Sequence, residues 1–174
     1  SQALDLEHAA VFPEVNGHYR SLWLHQSTPL CAAASLGQHG AVDLLLKMRA
    51  DVGARTANNW KPLNCASIPS PTSMAIAKLL ISRGGAPEQE RQNALKIAAR
   101  LGNAKVVQLL LRMMMDVDLG VDDEDGSTLL HQAAAGGSIR VAIHLLNRNA
   151  DMQLRDRNGK TAAETAAECG FEML

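Results

Sequence analysis

Three cysteines, six histidines and one run of acidic residues are the side chains of this 174-residue sequence with obvious chemistry in them. Nucleophilic work by Cys31, Cys65 or Cys169 needs a base held beside the thiol, such as His39 or His25, and no pattern in the sequence orders one. Free cysteines are usually buried and inert, so these three read as small core or near-core residues. Metal ligation through His131 needs three or four partners at suitable spacing, and they are missing. Asp122-Asp123-Glu124-Asp125 lacks the ligand spacing and the glutamate of a calcium loop. Charge runs are usually solvated, so it reads as an exposed acidic hairpin, or as an acidic contact for a basic partner. Met113-Met114-Met115 reads as gap-filling core at a helix end, with an adaptable binding patch as the other reading. There is no glycine-rich phosphate loop, no HExxH helix and no CxxC pair. The expectation is a chain without cofactor, metal or small-molecule substrate, and not an enzyme.

Composition removes further classes. Apolar residues are 47% and charged residues 20%, which suits a folded globular protein. Seventeen basic against 18 acidic side chains leave a net charge of −1, so nothing draws the whole chain to nucleic acid or an anionic membrane. Aromatics are 3%, too few for a base-stacking surface. The longest apolar stretch, Val106 to Met115, is interrupted by Gln108 and Arg112 and falls far short of the roughly 20 residues a bilayer needs. Asp5 and Glu7 break any basic-then-apolar leader pattern. Three widely spread cysteines favour a reducing compartment, so an intracellular location, cytoplasmic or nuclear, is expected. At this length one domain, 1–174, is the default.

The elements that position these residues emerge from internal repetition. Thr28-Pro29-Leu30-Cys31-Ala32-Ala33-Ala34 leads to Leu45-Leu46 and Ala50-Asp51, and Ala94-Leu95-Lys96-Ile97-Ala98-Ala99 leads to Leu110-Leu111. Thr128-Leu129-Leu130-His131-Gln132-Ala133-Ala134 leads to Leu145-Leu146 and Ala150-Asp151. Weaker copies start at Pro62-Leu63-Asn64-Cys65-Ala66 and at Thr161-Ala162-Ala163. The key apolar position falls at Leu30, Leu63, Leu95, Leu130 and Ala163, in steps of 33, 32, 35 and 33. This resembles the ankyrin repeat, a unit of about 33 residues with a T-P-L-H-x-A signature, built as a β-turn plus two helices. The resemblance covers roughly residues 24–174. It implies an all-α fold, a solenoid of stacked helix-turn-helix units with short β-hairpin or turn connections.

Local chemistry leads the same way. Thr28 before Pro29 is a helix start, the alanines favour helix and close stacking, and Gly37 supplies a stop. Val42, Leu45 and Leu46 give a second helix, expected over Ala41 to Met48. Helices this short need neighbours to bury their apolar faces. The expected division is an N-terminal partial repeat or cap at 1–27, repeats at 28–60, 61–92, 93–127 and 128–160, and a truncated last repeat at 161–174. The second copy is irregular. Pro69 and Pro71 end its first helix, Thr72 or Ser73 caps the next, and the chain reaches a new helix at Glu88 about three residues early, which shortens or removes the hairpin there. Ser1 to Phe12 is expected to form a helix. Neither end has a clear polar cap, so the chain is expected to be excised from something longer.

What the resemblance implies about function is a concave binding surface made of hairpin tips and first helices. Carried over copy by copy, that surface takes Leu24, His25 and Leu36 from the first repeat and Asn58, Trp60 and Ile68 from the second. Glu90, Arg100 and Leu101 follow from the third, Glu124 and Asp125 from the fourth, and Arg157 and Lys160 from the last. Leu36, Trp60, Ile68 and Leu101 are apolar at positions the fold does not need to bury, and Trp60 is the leading anchor. The family's hydroxylated asparagine is not matched, since Gly53, Asp118 and Gln153 stand at those positions. At His131, the signature position, the resemblance implies a hydrogen bond linking neighbouring turns. The expected function is a non-catalytic, monomeric module that binds another protein or peptide. The alternative is a regulatory or targeting segment of a larger enzyme or signalling protein, docking on its own chain.

Overall fold

The structure, a computed structural model, describes residues 27–84, 86–114 and 126–171. Leu24, His25, Glu124 and Asp125 lie outside the described residues, as do the helix expected over Ser1 to Phe12 and the acidic run around Glu124. The chain divides into two compact units, Ser1–Pro87 and Glu88–Leu174, parted at the junction that the sequence marks as shortened.

The first unit holds α1 (Pro29–Ser35), α2 (His39–Lys47), α3 (Pro62–Ala66) and α4 (Ser73–Gly84). The second holds α5 (Glu88–Arg100), α6 (Ala104–Met113), α7 (Leu129–Ala135), α8 (Ile139–Leu146) and α9 (Ala162–Glu168). Helices pair in sequence, α1 with α2 and α3 with α4 in the first unit, α5 with α6 and α7 with α8 in the second. First helices also pack on first helices, α1 on α3, and α5 and α9 on either side of α7. Second helices meet as well, α2 with α4 and α6 with α8. An antiparallel bridge joins Arg155 and Thr161. No helix among them is long and apolar enough to cross a membrane.

The helices start where capping chemistry puts them. Thr28, Thr128 and Thr161 each accept, through the side-chain oxygen, the N–H three residues on, from Cys31, His131 and Glu164. A cap of this kind contributes about 1 kcal/mol. Lys61 holds the same place before α3 and makes no side-chain cap; α3 is five residues long and buried along its whole length. Its stability rests on packing rather than local bonds. α5 has no threonine start and begins at Glu88, with Glu88 and Glu90 in its first turn, where the helix dipole favours acids.

The stops repeat too. Gln38, Asn103, Ser138 and Phe171 each donate the backbone N–H to the carbonyl five residues back, at Ala33, Ala98, Ala133 and Ala166. This closure needs a left-handed residue just before the donor, and Gly37, Gly102, Gly137 and Gly170 supply it. α3 ends differently, at Ser67 ahead of Pro69. Thr72, which with Ser73 is the expected cap of α4, donates its hydroxyl to the carbonyl of Gly37. α2 begins at His39, two residues before the expected Ala41.

Small residues set the spacing of the first helices. Ala33, Ala34, Cys65, Ala66, Ala98, Ala99, Ala133 and Ala134 are all buried. The closest approach is at Gly136, where a Cβ would stand 1.7 Å from the carbonyl oxygen of Arg100. Gly136→Ala therefore forces backbone apart and should cost about 3 kcal/mol. Gly40, within α2, has nothing within 4 Å of its Cβ direction, and Gly40→Ala should stabilise by about 0.5–1 kcal/mol through helix propensity. Denaturant melts of the two variants check both; equal effects would show that the close approach carries no weight.

Candidate functional site

Two tip loops, one in each unit, are the most regular polar structures outside the helices. In the first, the Thr56 N–H donates to the Trp60 carbonyl at 2.8 Å and the Asn59 N–H to the Thr56 carbonyl at 2.9 Å. The Trp60 N–H closes the ring onto Thr56 Oγ1 at 3.0 Å. In the second, Asp156 N–H donates to the Lys160 carbonyl and Gly159 N–H to the Asp156 carbonyl, both at 2.9 Å. The Lys160 N–H donates to Asp156 Oδ1, again at 2.9 Å. The fourth residue is left-handed in both, Asn59 at φ 64° and Gly159 at φ 75°. Arg55 Nη1 reaches Asn59 Oδ1, and Arg155 Nη1 reaches the Gly159 carbonyl. A threonine and an aspartate thus play one role, since either offers an oxygen to the same N–H.

Each tip is tied to the first helix of the preceding pair. His131 is buried, and its Nε2 lies 2.9 Å from the Lys160 carbonyl. Its Nδ1 lies 2.8 Å from Thr128 Oγ1 and accepts from the Thr128 N–H at 3.3 Å. A carbonyl partner requires the proton on Nε2, so one imidazole caps its own helix and holds the next tip. Cys31 occupies the same position in the first unit, and its thiol points at the Trp60 carbonyl at 3.8 Å and at that of Ala54 at 3.9 Å.

Cys31 and Cys65 are both fully buried free thiols, and Cys169 is exposed. The hydrogen bond from the Cys65 thiol to Cys31, followed by burial, pushes the Cys65 pKa up, so it keeps its proton. A protonated, buried thiol is neither nucleophile nor ligand. Among the described residues no group of three or more His, Cys, Asp or Glu side chains is placed to hold a metal ion.

Charge gathers at the second tip. Lys160 Nζ pairs with Glu168 at 2.6 Å, and the bond to Glu168 raises the Lys160 pKa. Arg155 pairs with Glu164 at 3.2 Å. Asp156 is held below the usual carboxylate range by the backbone N–H of Lys160 and then that of Asn158. Glu164 is lowered by the Thr161 N–H, the second half of the capping box of α9, and less by Arg155.

The sequence-derived surface residues are distributed as follows. Leu36, Asn58, Trp60 and Ile68 lie in the first unit and are half-buried. Glu90, Arg100, Leu101 and Lys160 lie in the second unit, half-buried, and Arg157 is exposed on the second tip. Lys160 and Arg157 share one loop, as do Asn58 and Trp60. The apolar residues expected to stand open to solvent are therefore partly covered, and the most open large apolar side chains lie on second helices and beyond them. They are Leu44 and Met48 at α2, Met74 on α4, Met113 on α6, Ile139, Ile143 and Leu146 on α8, and Met152 and Phe171 outside the helices. Sequence reasoning missed the α8 set, although its i, i+4, i+7 spacing was there to read.

Comparison with known proteins comes last. The family described as ankyrin repeats (3 copies) matches residues 30–119, 72–156 and 98–174. An ankyrin repeat and KH domain-containing protein of Caenorhabditis briggsae is 32% identical over 153 residues, 84% of this chain and 6% of its own length. Its Caenorhabditis elegans counterpart is 34% identical over 149 residues, again 6% of that protein. A Notch-regulated ankyrin repeat-containing protein of Xenopus tropicalis is 32% identical over 83 residues, 47% of this chain and 73% of its own. The chain thus spans a small fraction of the first two relatives.

Two outcomes follow from the tip geometry. His131→Ala orphans the Lys160 carbonyl and the Thr128 N–H and should cost on the order of 2 kcal/mol, read from a denaturant melt; a cost under about 0.5 kcal/mol would refute the bridging role. Asp156 and Glu164 have folded pKa values below the unfolded ones, so their support is complete above about pH 4. It is lost as pH falls through the lower folded values. Amide exchange followed from pH 6 to pH 3, corrected for intrinsic rates, should show residues 156–168 losing protection before α7.

Proposed function

The chain belongs to the ankyrin-repeat family, and from that premise we propose that it works without catalysis, as a protein-interaction module whose tip loops and first helices receive a partner protein or peptide. The observation that carries this reading is the pair of tips. One bonding scheme holds Thr56–Trp60 and Asp156–Lys160, with asparagine at the third position of both, while the second and fifth side chains differ: Ala57 against Arg157, Trp60 against Lys160. A fixed backbone with changeable side chains is what recognition from a rigid scaffold requires. Trp60 is the anchor on the first tip, with Asn58 beside it and Leu36 and Ile68 on the helix ends of the same unit. In the second unit Arg157 and Lys160 on the tip, with Glu90 and Arg100, supply charge that steers a partner more than it adds affinity, and Leu101 adds an apolar contact.

A second reading makes this stretch a regulatory or targeting segment of a longer protein, docking on its own parent chain. The lengths of the relatives favour it, since the matched stretch is 6% of each of the first two. A further relative, 38% identical over 85 residues, is an inactive serine/threonine-protein kinase of Bos taurus, a large protein of which the match is 5%.

The test is a pull-down from cell extract with this chain as bait, beside a Trp60→Ala, Leu101→Ala variant shown to be folded by its melt. Hot-spot tryptophans contribute about 2 kcal/mol or more, so the variant should lose the captured protein at least tenfold. A protein held equally by both baits would remove these two residues, and the tip-and-first-helix surface with them, from the binding site.

A further inference from the structure

The second helices of the second unit carry charge of one sign. Lys105 and Arg112 on α6, Arg140 on α8 and Arg148 just after it are all exposed. No acid lies between Ala104 and Met114 or between Gly137 and Ala150. Lys47, Arg155 and Lys160 each pair with a carboxylate, whereas these four cations form no ion pair among the described residues. The next acid along the chain, Asp151, accepts from the Gln153 N–H.

The packing sets the four cations at the corners of one patch. Lys105 and Arg140 share a register position, each three residues past the left-handed glycine that closes a first helix, Gly102 or Gly137. α6 packs on α8, so these two positions stand about one interaxial spacing apart, roughly 8–10 Å. Arg112 follows Lys105 by seven residues, two turns and about 10.5 Å along the same face of α6. Arg148 stands at that same end, because its Nη1 donates to the Leu111 carbonyl at 3.4 Å. Between the corners, Gln108 and Ile143 share one register position, and both are exposed and uncharged. In the first unit α2 places Gly40 and Asp43 at the corresponding positions, so the patch is particular to the second unit.

The spacing says what such a patch can hold. Cations about a Debye length apart, ~8 Å at physiological salt, reinforce one another's potential. Spread over four corners, they match carboxylates strung along a chain better than a single phosphate. Neither helix carries an aromatic residue, the stacking partner that a single nucleic-acid strand uses. A second copy offering the same patch would set arginine against arginine.

We propose that the Lys105–Arg112–Arg140–Arg148 patch is a docking site for an acidic segment of a partner protein, a run rich in aspartate and glutamate. The segment lies across α6 and α8, on a face separate from the tips and independent of what they bind.

The test follows the anisotropy of two fluorescein-labelled 16-residue peptides and one oligothymidylate of the same length as the full chain is added. One peptide has glutamate at every second position among serine and glycine, and the other has glutamine in its place. The glutamate peptide should bind at least tenfold tighter than the glutamine peptide and tighter than the oligonucleotide. Its affinity should fall at least fivefold as KCl rises from about 50 to about 300 mM. The double variant Arg112→Gln, Arg140→Gln should weaken it at least fivefold while the melting temperature stays within about 2 °C. Arg157→Gln, on the second tip, should leave it unchanged. No binding of the glutamate peptide, equal binding of both peptides, or indifference to the double variant each overturns the proposal. An equal loss from Arg157→Gln overturns it by moving the site to the tip, and tighter binding of the oligonucleotide does so by making the patch a nucleic-acid site. So does binding that appears only with Asp122→Asn, Asp123→Asn, Glu124→Gln and Asp125→Asn together, which would assign the patch to the chain's own acidic run.

Discussion

Most helices in the pairs are too short to stand by themselves, and the bond that answers this problem joins the start of one first helix to the tip that follows it. α7 has seven residues, and isolated helices below about a dozen are marginal in water. His131 caps that helix and holds the Lys160 carbonyl, so ordering the second tip and starting α7 are one event. The threonine caps, the left-handed glycine stops and the buried alanines then extend the same logic from pair to pair. The unit of stability is the contact between neighbours, as expected for a stack in which each repeat touches only the next.

His131, Cys31 and Cys65 are taken up by this task. A histidine that bonds on both ring nitrogens has nothing left to exchange with a substrate, and Cys31 stands in its place in the first unit as a weaker donor to the equivalent carbonyl. The Cys65 thiol, hydrogen-bonded to Cys31 and buried, keeps its proton. Among the described residues the surface presents two tips of one design, half-buried apolar side chains near the first, paired charges near the second, and exposed apolar side chains on α8.

Much of the fold was legible because its signals are local. Thr28-Pro29, Thr128 with His131, and Gly37 or Gly102 each encode a start, a bridge or a stop within a few residues, and the early start of α5 at Glu88 was visible from spacing alone. Exposure was not legible in the same way, because it depends on which neighbour lies beside a residue. Leu36, Trp60, Ile68 and Leu101 read as open surface and are half-buried. Thr72 was legible as a cap by type, but its hydroxyl proton goes to Gly37, a partner 35 residues away. The division of the chain at Pro87 falls where the hairpin is lost, a feature the spacing marked without stating its consequence.

The two tips also bear on how such a surface changes over time. Their closure uses backbone groups, one short oxygen-bearing side chain at the first position and a left-handed fourth residue, so Thr56, Asp156, Asn59 and Gly159 are constrained while the second and fifth residues are not. Ala57 and Arg157, or Trp60 and Lys160, differ in size, charge and polarity over the same three bonds. Substitutions at those sites alter what a neighbour meets without asking the loop to refold. A lineage can therefore exchange one partner for another by drift at a few codons, with selection for folding acting on a separate set of positions.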